Sequence, residues 1–241
     1  MLPESEHVSQ VFENPETGFL SAPENDGKPK LFIDSSTISP FYSLSLAEKV
    51  ARATHLSAHL LDAPVSGGVK GAQASTLTFM LGSPKELVPL VTSILEKMGQ
   101  RIMWCGPPSS GLGAKLANNY ILAALNVATC EAMNMGLRLG LDSAKLAEVI
   151  NASTGASWCS RVNNPVRGVS PGAPVERGYE GGFGVKLMKK DLRLALEAAE
   201  SVDAKIVLGE HVAKVYEEVA GEKELSGKDF SVVYKWLGGD E

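Results

Sequence analysis

Cysteine is scarce in this chain of 241 residues, and the three present, Cys105, Cys130 and Cys159, are an odd number without close spacing. Free thiols in a reducing compartment are therefore expected, rather than a disulfide framework or a cysteine-built zinc site. Long apolar runs are lacking too. The most apolar stretch, Ile121 to Ala128, is interrupted by Asn126 and falls short of the roughly 20 residues that a bilayer span needs, so no membrane segment is expected. Nor is there a basic block. Lys and Arg number 23 against 28 Asp and Glu, a net charge of −5, which argues against nucleic acid as a partner. The first residues, Met1-Leu-Pro-Glu-Ser-Glu, offer neither the apolar core of a secretion signal nor the arginines of a mitochondrial presequence, so no targeting segment is read in the chain. His55 and His59 have the spacing of helical metal ligands, yet the preceding helix is expected to end near Ala53 and no third ligand accompanies them. No metal site is assigned.

What is present begins as an alternation of strand-like and helix-like runs. Leu31 to Asp34 reads as a short strand, Ser45 to Ala53 as an amphipathic helix, and Leu60 to Val65 and Thr76 to Leu81 as further strands. A helix from Pro84 to Met98, with Ser83 and Glu86 predicting a capping box, leads to a strand from Arg101 to Cys105. Glu13 to Lys30, rich in Pro, Gly, Asn and charge, reads as an exposed loop. Such alternation implies an α/β sheet. After Gly106 only helical patterns follow. Leu112 to Leu139 would run about 40 Å at about 1.5 Å per residue, with apolar residues on nearly all faces, and is expected as a buried central helix. Gly140 can end it and Asp142 can cap the next. Further helices are expected over Val185 to Ser201, Lys205 to Val219 and Lys228 to Leu237.

Chemistry is sought where Lys115 and Asn119 open the long helix, directly after Gly106-Pro-Pro-Ser-Ser-Gly-Leu-Gly. Four residues apart, they share one helix face. Near a helix N-terminus the dipole and desolvation both disfavour a protonated lysine, as a proton-transfer catalyst requires. Alone, such a lysine is most often a solvated surface residue. A second feature supports it: Asp62-Ala-Pro-Val-Ser66-Gly67-Gly68, whose final turn exposes backbone N–H groups and a hydroxyl suited to a carboxylate. By itself Ser-Gly-Gly is also the composition of a simple tight turn.

Together these segments resemble the β-hydroxyacid dehydrogenases, and within them the 3-hydroxyisobutyrate branch. The resemblance also covers Leu31-Phe-Ile-Asp-Ser-Ser-Thr-Ile, Leu77-Thr-Phe-Met, Glu131-Ala-Met-Asn-Met-Gly-Leu-Arg-Leu-Gly-Leu-Asp, Ser157-Trp-Cys-Ser and Gly181-Gly-Phe-Gly-Val-Lys-Leu-Met-Lys-Lys-Asp-Leu. It implies an incomplete doubly wound, Rossmann-like sheet over residues 1–108, a partial dinucleotide-binding domain. An all-helical substrate and dimerisation domain with a long central helix would follow over residues 109–241. The family's G-x-G-x-x-G turn, which sets backbone amides against the cofactor pyrophosphate, is absent from these residues. The nearest string, Gly111-Leu-Gly113-Ala-Lys-Leu, lacks the third glycine, and Met1-Leu2-Pro3 resembles the segment after the family's fourth strand. The chain is therefore expected to lack the N-terminal part of the nucleotide-binding domain and to bind cofactor more weakly than a chain extended upstream.

The resemblance also assigns roles. Lys115 corresponds to the lysine that takes the proton from the substrate hydroxyl as hydride leaves for NAD. Ser66, Gly67 and Gly68 match the carboxylate-holding residues, and Asn119 the asparagine beside the lysine. Leu2, Pro3 and Thr37 match cofactor contacts on the adenine and ribose side; Lys190 matches one at the nicotinamide end. Asp34 is read as a turn or cap residue. Two positions depart from the family pattern: His7 stands for an asparagine and Ser109 for a glycine. The implied activity is NAD-dependent oxidation of 3-hydroxyisobutyrate to methylmalonate semialdehyde in valine catabolism, in mitochondria, by a homo-oligomer, dimer or tetramer, acting on a small hydroxy acid. Alternatives are a tartronate or succinate semialdehyde reductase and a catalytically silent helical module.

Overall fold

The computed structural model describes residues 1–21 and 29–240. The chain divides into two compact units, Met1–Ala117 and Asn118–Glu241.

In the first unit, helix α1 (Ser5–Glu13) precedes strand β1 (Lys30–Asp34). The stretch expected as an exposed loop between them is anchored. Phe19–Ser21 form a turn of 3-10 helix, and the Phe19 ring meets Phe12 of α1 and Phe32 of β1 edge-on, with centroids 6.1 and 4.5 Å away. One aromatic side chain outweighs the polar composition around it; residues 22–28 of this stretch lie outside the described residues. Helix α2 (Pro40–Ala53) starts five residues earlier than expected, because the Ser39 side chain accepts from the Tyr42 N–H and Pro40 fits the first turn.

Strand β2 (Ala58–Asp62) runs parallel to β1, in register from Lys30 with Ala58 to Asp34 with Asp62. The single strand expected over Leu60 to Val65 is broken after Asp62. Val65–Ser66 forms a separate strand, β3, antiparallel to the later β4, and Pro64 between them has no N–H for a ladder. A short helix, α3 (Gly68–Gln73), leads to β4 (Leu77–Gly82), which joins β2 through Asp62 and Gly82. The capping box expected at Ser83 does not form. Pro84 is extended, at φ −52° and ψ 140°, and Ser83 Oγ donates to its carbonyl, so helix α4 (Val88–Leu95) begins only after a 3-10 turn at Lys85–Leu87. Strand β5 (Gly99–Gly106) then pairs parallel with β4.

Successive residues of β2 point to opposite faces of the sheet. Leu60 packs with Val8, Phe12, Leu46 and Val50 of α1 and α2, and Leu61 with Phe79, Leu81, Val91 and Leu95 of β4 and α4. Apolar cores on both faces give the sheet its doubly wound, Rossmann-like character.

Helix α5 (Ser110–Arg138) starts in the first unit and continues into the second. The expectation of burial on all faces is corrected: Ile121, Leu125, Ala128 and Met135 share one exposed face at near-helical spacing, with Ile121 at 57% and Met135 at 62% exposure. The opposite face puts Ala123, Val127, Cys130 and Met133 into the core of the second unit. Gly140, at φ +86°, ends the turn after α5, and Asp142 accepts from the Lys145 N–H to cap α6 (Ser143–Ala152). The rest of the unit is α7 (Trp158–Arg161), α8 (Val185–Glu200), α9 (Gly209–Gly221) and α10 (Val233–Trp236). Tyr179, Tyr216 and Tyr234 are its largest buried side chains. All three cysteines are free thiols, and burial pushes Cys159 up to about 12 and Cys130 well above the ordinary thiol range.

Candidate active site

Two segments of the first unit are drawn together at the start of α5. Ser109, just before the helix, has φ +78°, the left-handed conformation that favours glycine, and its Oγ donates to the Pro40 carbonyl at 2.6 Å. The serine thus sits in a backbone conformation that glycine adopts more readily, at the position where the resemblance leads one to expect glycine. Two turns into the helix Lys115 is buried, with 7% exposure, and its Nζ donates to the Val65 carbonyl at 2.7 Å. That bond sets the ammonium nitrogen one residue before Ser66-Gly67-Gly68. Ser66 closes β3 opposite Thr78. Gly67 and Gly68 follow at φ +134° and +61°, and both are exposed. These angles explain the two glycines. A Cβ at Gly68 would meet nothing within 4 Å, so this turn presents open backbone.

Asp62, which opens the same segment, is buried and accepts from the backbone N–H groups of Ser109 and Leu112. Burial pushes its carboxyl up to about 6, against the lowering effect of those donors. Sequence reasoning quoted Asp62 within the motif and gave it no role.

Leu2, Pro3 and Thr37 lie at the carboxyl end of β1. The Leu2 N–H donates to Ser36 Oγ at 2.7 Å and the Ser39 N–H to Ser5 Oγ at 3.3 Å, which ties residues 2–5 to the loop that carries Thr37. Crevices beyond the carboxyl ends of parallel strands are where such sheets take nucleotides. Asp34 Oδ1 accepts from the Ser36 N–H, a turn-forming role. The Gly111-Leu-Gly113 string is no phosphate cradle. A Cβ at Gly111 would lie 2.1 Å from the Met80 carbonyl oxygen and 2.8 Å from Asp62 Oδ2, so this glycine serves close packing.

In the second unit, Asn119 is 2% exposed. Its Nδ2 donates to Asp191 Oδ2 at 2.6 Å, and its Oδ1 accepts from Asn118 Nδ2 at 3.2 Å. Lys190 Nζ lies 3.4 Å from Asp191 Oδ1, both side chains nearly out of solvent. Lys189, by contrast, is exposed and pairs with Glu217. By pattern Lys189, Lys190 and Asp191 read as a solvated charged face; that holds for Lys189 alone, since Asp191 is 2% exposed and meets a partner that only the folded chain brings to it. The approach to α8 is held by Asp229, whose carboxylate accepts from the Phe183 N–H at 2.8 Å and from Asn163 Nδ2 at 3.1 Å. Among the described residues no group of three or more His, Cys, Asp or Glu is arranged to hold a metal ion, and no helix is long and apolar enough to cross a membrane.

A Rossmann-like sheet followed by a mostly helical unit is a fold that accommodates nucleotide cofactors. A family model described as "NAD-binding of NADP-dependent 3-hydroxyisobutyrate dehydrogenase" matches residues 109–237, and one described as "NAD binding domain of 6-phosphogluconate dehydrogenase" matches residues 1–106. The mitochondrial 3-hydroxyisobutyrate dehydrogenase of Drosophila melanogaster is 47% identical over 86% of this chain and 63% of its own length. The 3-hydroxyisobutyrate dehydrogenase of Pseudomonas aeruginosa is 42% identical over 100% of this chain and 79% of its own. A solved structure, Mycobacterium tuberculosis 3-hydroxyisobutyrate dehydrogenase with L-serine, superposes with a TM-score of 0.87 at 37% identity, over 98% of this chain and 77% of that one. The chain belongs to the 3-hydroxyisobutyrate dehydrogenase family. It spans 63% of the length of the fly relative.

Proposed function

We propose that this protein is an NAD-dependent oxidoreductase that converts 3-hydroxyisobutyrate to methylmalonate semialdehyde. The observation that carries the reading is Lys115 Nζ, buried and bonded to the Val65 carbonyl immediately before the Ser66-Gly67-Gly68 turn. A substrate carboxylate on the open N–H groups and hydroxyl of that turn would set its hydroxyl towards the lysine. NAD, when bound, accepts hydride from the carbon bearing the hydroxyl. Lys115 Nζ, which must be neutral to do so, takes the hydroxyl proton, so that the carbon–oxygen double bond forms as the proton leaves. Asn119, one helical turn further along, is assigned to the substrate oxygen by the family resemblance alone, and the direction of its amide is fixed by Asp191.

Leu2, Pro3 and Thr37 fit the adenine and ribose side of the cofactor, and Lys190 is assigned to its nicotinamide end. The sequence has no G-x-G-x-x-G motif, so no pyrophosphate contact is assigned. The substrate class is supported by the relative recorded with L-serine. Serine has the same 3-hydroxy carboxylate skeleton as 3-hydroxyisobutyrate, with an ammonium in place of the methyl group. The reaction belongs to valine breakdown, and relatives named as mitochondrial support that compartment. The exposed apolar face of α5 supports a homo-oligomer formed through that helix. Formation of NADH from NAD and 3-hydroxyisobutyrate, compared with L-serine, tests the reading; turnover of neither acid would overturn it.

A further inference from the structure

Asp62 belongs to the segment that carries Val65 and Ser66, yet its carboxylate reaches into the first turn of α5. It accepts from the N–H groups of Ser109 and of Leu112, the latter at 2.9 Å. First-turn N–H groups have no partner within their own helix. Two glycines make room for this carboxylate: a Cβ at Gly82 of β4 would lie 2.2 Å from Oδ1, and one at Gly111 of α5 would lie 2.8 Å from Oδ2. Further along the same helix, Lys115 Nζ bonds the carbonyl of Val65, three residues after Asp62. Two interactions of opposite sense therefore join the same two pieces of chain. One caps the helix from the segment, and the other returns from the helix to the segment. Ser109 holds a left-handed backbone conformation that a non-glycine residue adopts only at a cost, and in it directs its N–H at Asp62.

We infer that Asp62 is a positioning residue: by capping α5 it fixes that helix against the Asp62–Ser66 segment and so holds Lys115 Nζ beside the Ser66-Gly67-Gly68 turn. Its importance for catalysis rests on the reading of Lys115 as the proton acceptor. Asparagine at this position keeps the volume but replaces one acceptor with an N–H2 group facing N–H donors, which the surrounding backbone cannot satisfy.

The test observes the lysine itself. In the full chain, with lysine labelled at the side-chain nitrogen and aspartate at the carboxyl carbon, the Lys115 signal is identified by its loss in Lys115→Met. Asp62→Asn is expected to move that signal and to speed exchange of its protons about tenfold, leaving the other lysines in place. A folded Asp62→Asn protein with an unmoved Lys115 signal overturns the proposal. If the variant does not fold, a pH titration of the unmodified protein decides. The titratable groups nearest Asp62 on the elements around it are its register partner Asp34 on β1, Cys105 on β5 and Lys115 on α5, with Lys30 and Arg101 further along their strands, and the aspartates report separately. A Lys115 signal that follows the Asp62 midpoint sustains the inference, and one that stays flat through it overturns it. A lysine that answers to Asp62 but can be removed without loss of turnover would sustain the positioning and overturn the assigned role of Lys115.

Discussion

Asn119 Nδ2 donates to Asp191 Oδ2 at 2.6 Å, and both side chains are buried. The residue assigned to the substrate oxygen is thus engaged at one end by a carboxylate 72 residues away in sequence. A carboxylate accepts only, so Asp191 dictates which end of the Asn119 amide it meets. Asp191→Asn removes that instruction and the charge that faces Lys190. It is expected to lower unfolding free energy by about 1–3 kcal/mol in a urea titration. An unchanged midpoint would contradict the buried pairing.

Gly68 offers a cleaner probe of the carboxylate turn than Gly67, because a Cβ at Gly67 would press on Leu77 at 3.1 Å whereas none at Gly68 meets a neighbour. Gly68→Leu should raise KM for 3-hydroxyisobutyrate about tenfold or more by covering the backbone N–H groups, at a cost of about 1–2 kcal/mol for the left-handed backbone. Steady-state kinetics with KM unchanged would remove the turn from the site.

The parts legible in the sequence are those set by local pattern. Periodicity marked β1, α5 and α8, and the glycines marked the turn after Ser66. The early start of α2 was equally local, in Ser39 and Pro40, but the apolar run at Ser45 drew the boundary inward. Phe19 was hidden by the polar residues around it, since its partners Phe12 and Phe32 are brought to it by the fold. The same limit concealed the two carboxylates. Asp62 meets amides about 50 residues further on, and Asp191 meets an amide in a different helix. A buried acid shows its role only when its donors have been brought to it. The apolar residues on all sides of α5 suggested full burial, but composition does not say whether a face is covered by this chain or left bare.

Asp62 also predicts a pH dependence. Its carboxyl lies at about 6 in the folded protein against an ordinary value of 3.8, so between these values the folded chain holds a proton that the unfolded chain has released. Stability contributed at this position therefore falls as pH rises through that window, by about 3 kcal/mol in all. Carboxyls with lowered values, such as Glu13, act in the opposite direction, so the comparison must be made against Asp62→Asn. The wild-type chain should lose ground relative to the variant between about pH 4 and pH 7. A constant difference across that range would show that Asp62 titrates at an ordinary value.

The bare face of α5 is tested by charge. Ile121→Glu, at the N-terminal end of the exposed stripe, should shift sedimentation towards the monomer while leaving circular dichroism unchanged, because a carboxylate in an apolar interface is left without a partner. A chain already monomeric before the substitution would end the homo-oligomer reading.

The most direct test of the whole account is turnover with and without the lysine. NADH formation from NAD and 3-hydroxyisobutyrate should be measurable in the unmodified chain at high NAD. In Lys115→Ala it should fall by about 10² to 10⁴ in kcat, far beyond the loss of about 1–3 kcal/mol in stability expected from the broken Val65 bond. A Lys115→Ala protein that is folded and oxidises 3-hydroxyisobutyrate as fast as the unmodified chain would contradict the account.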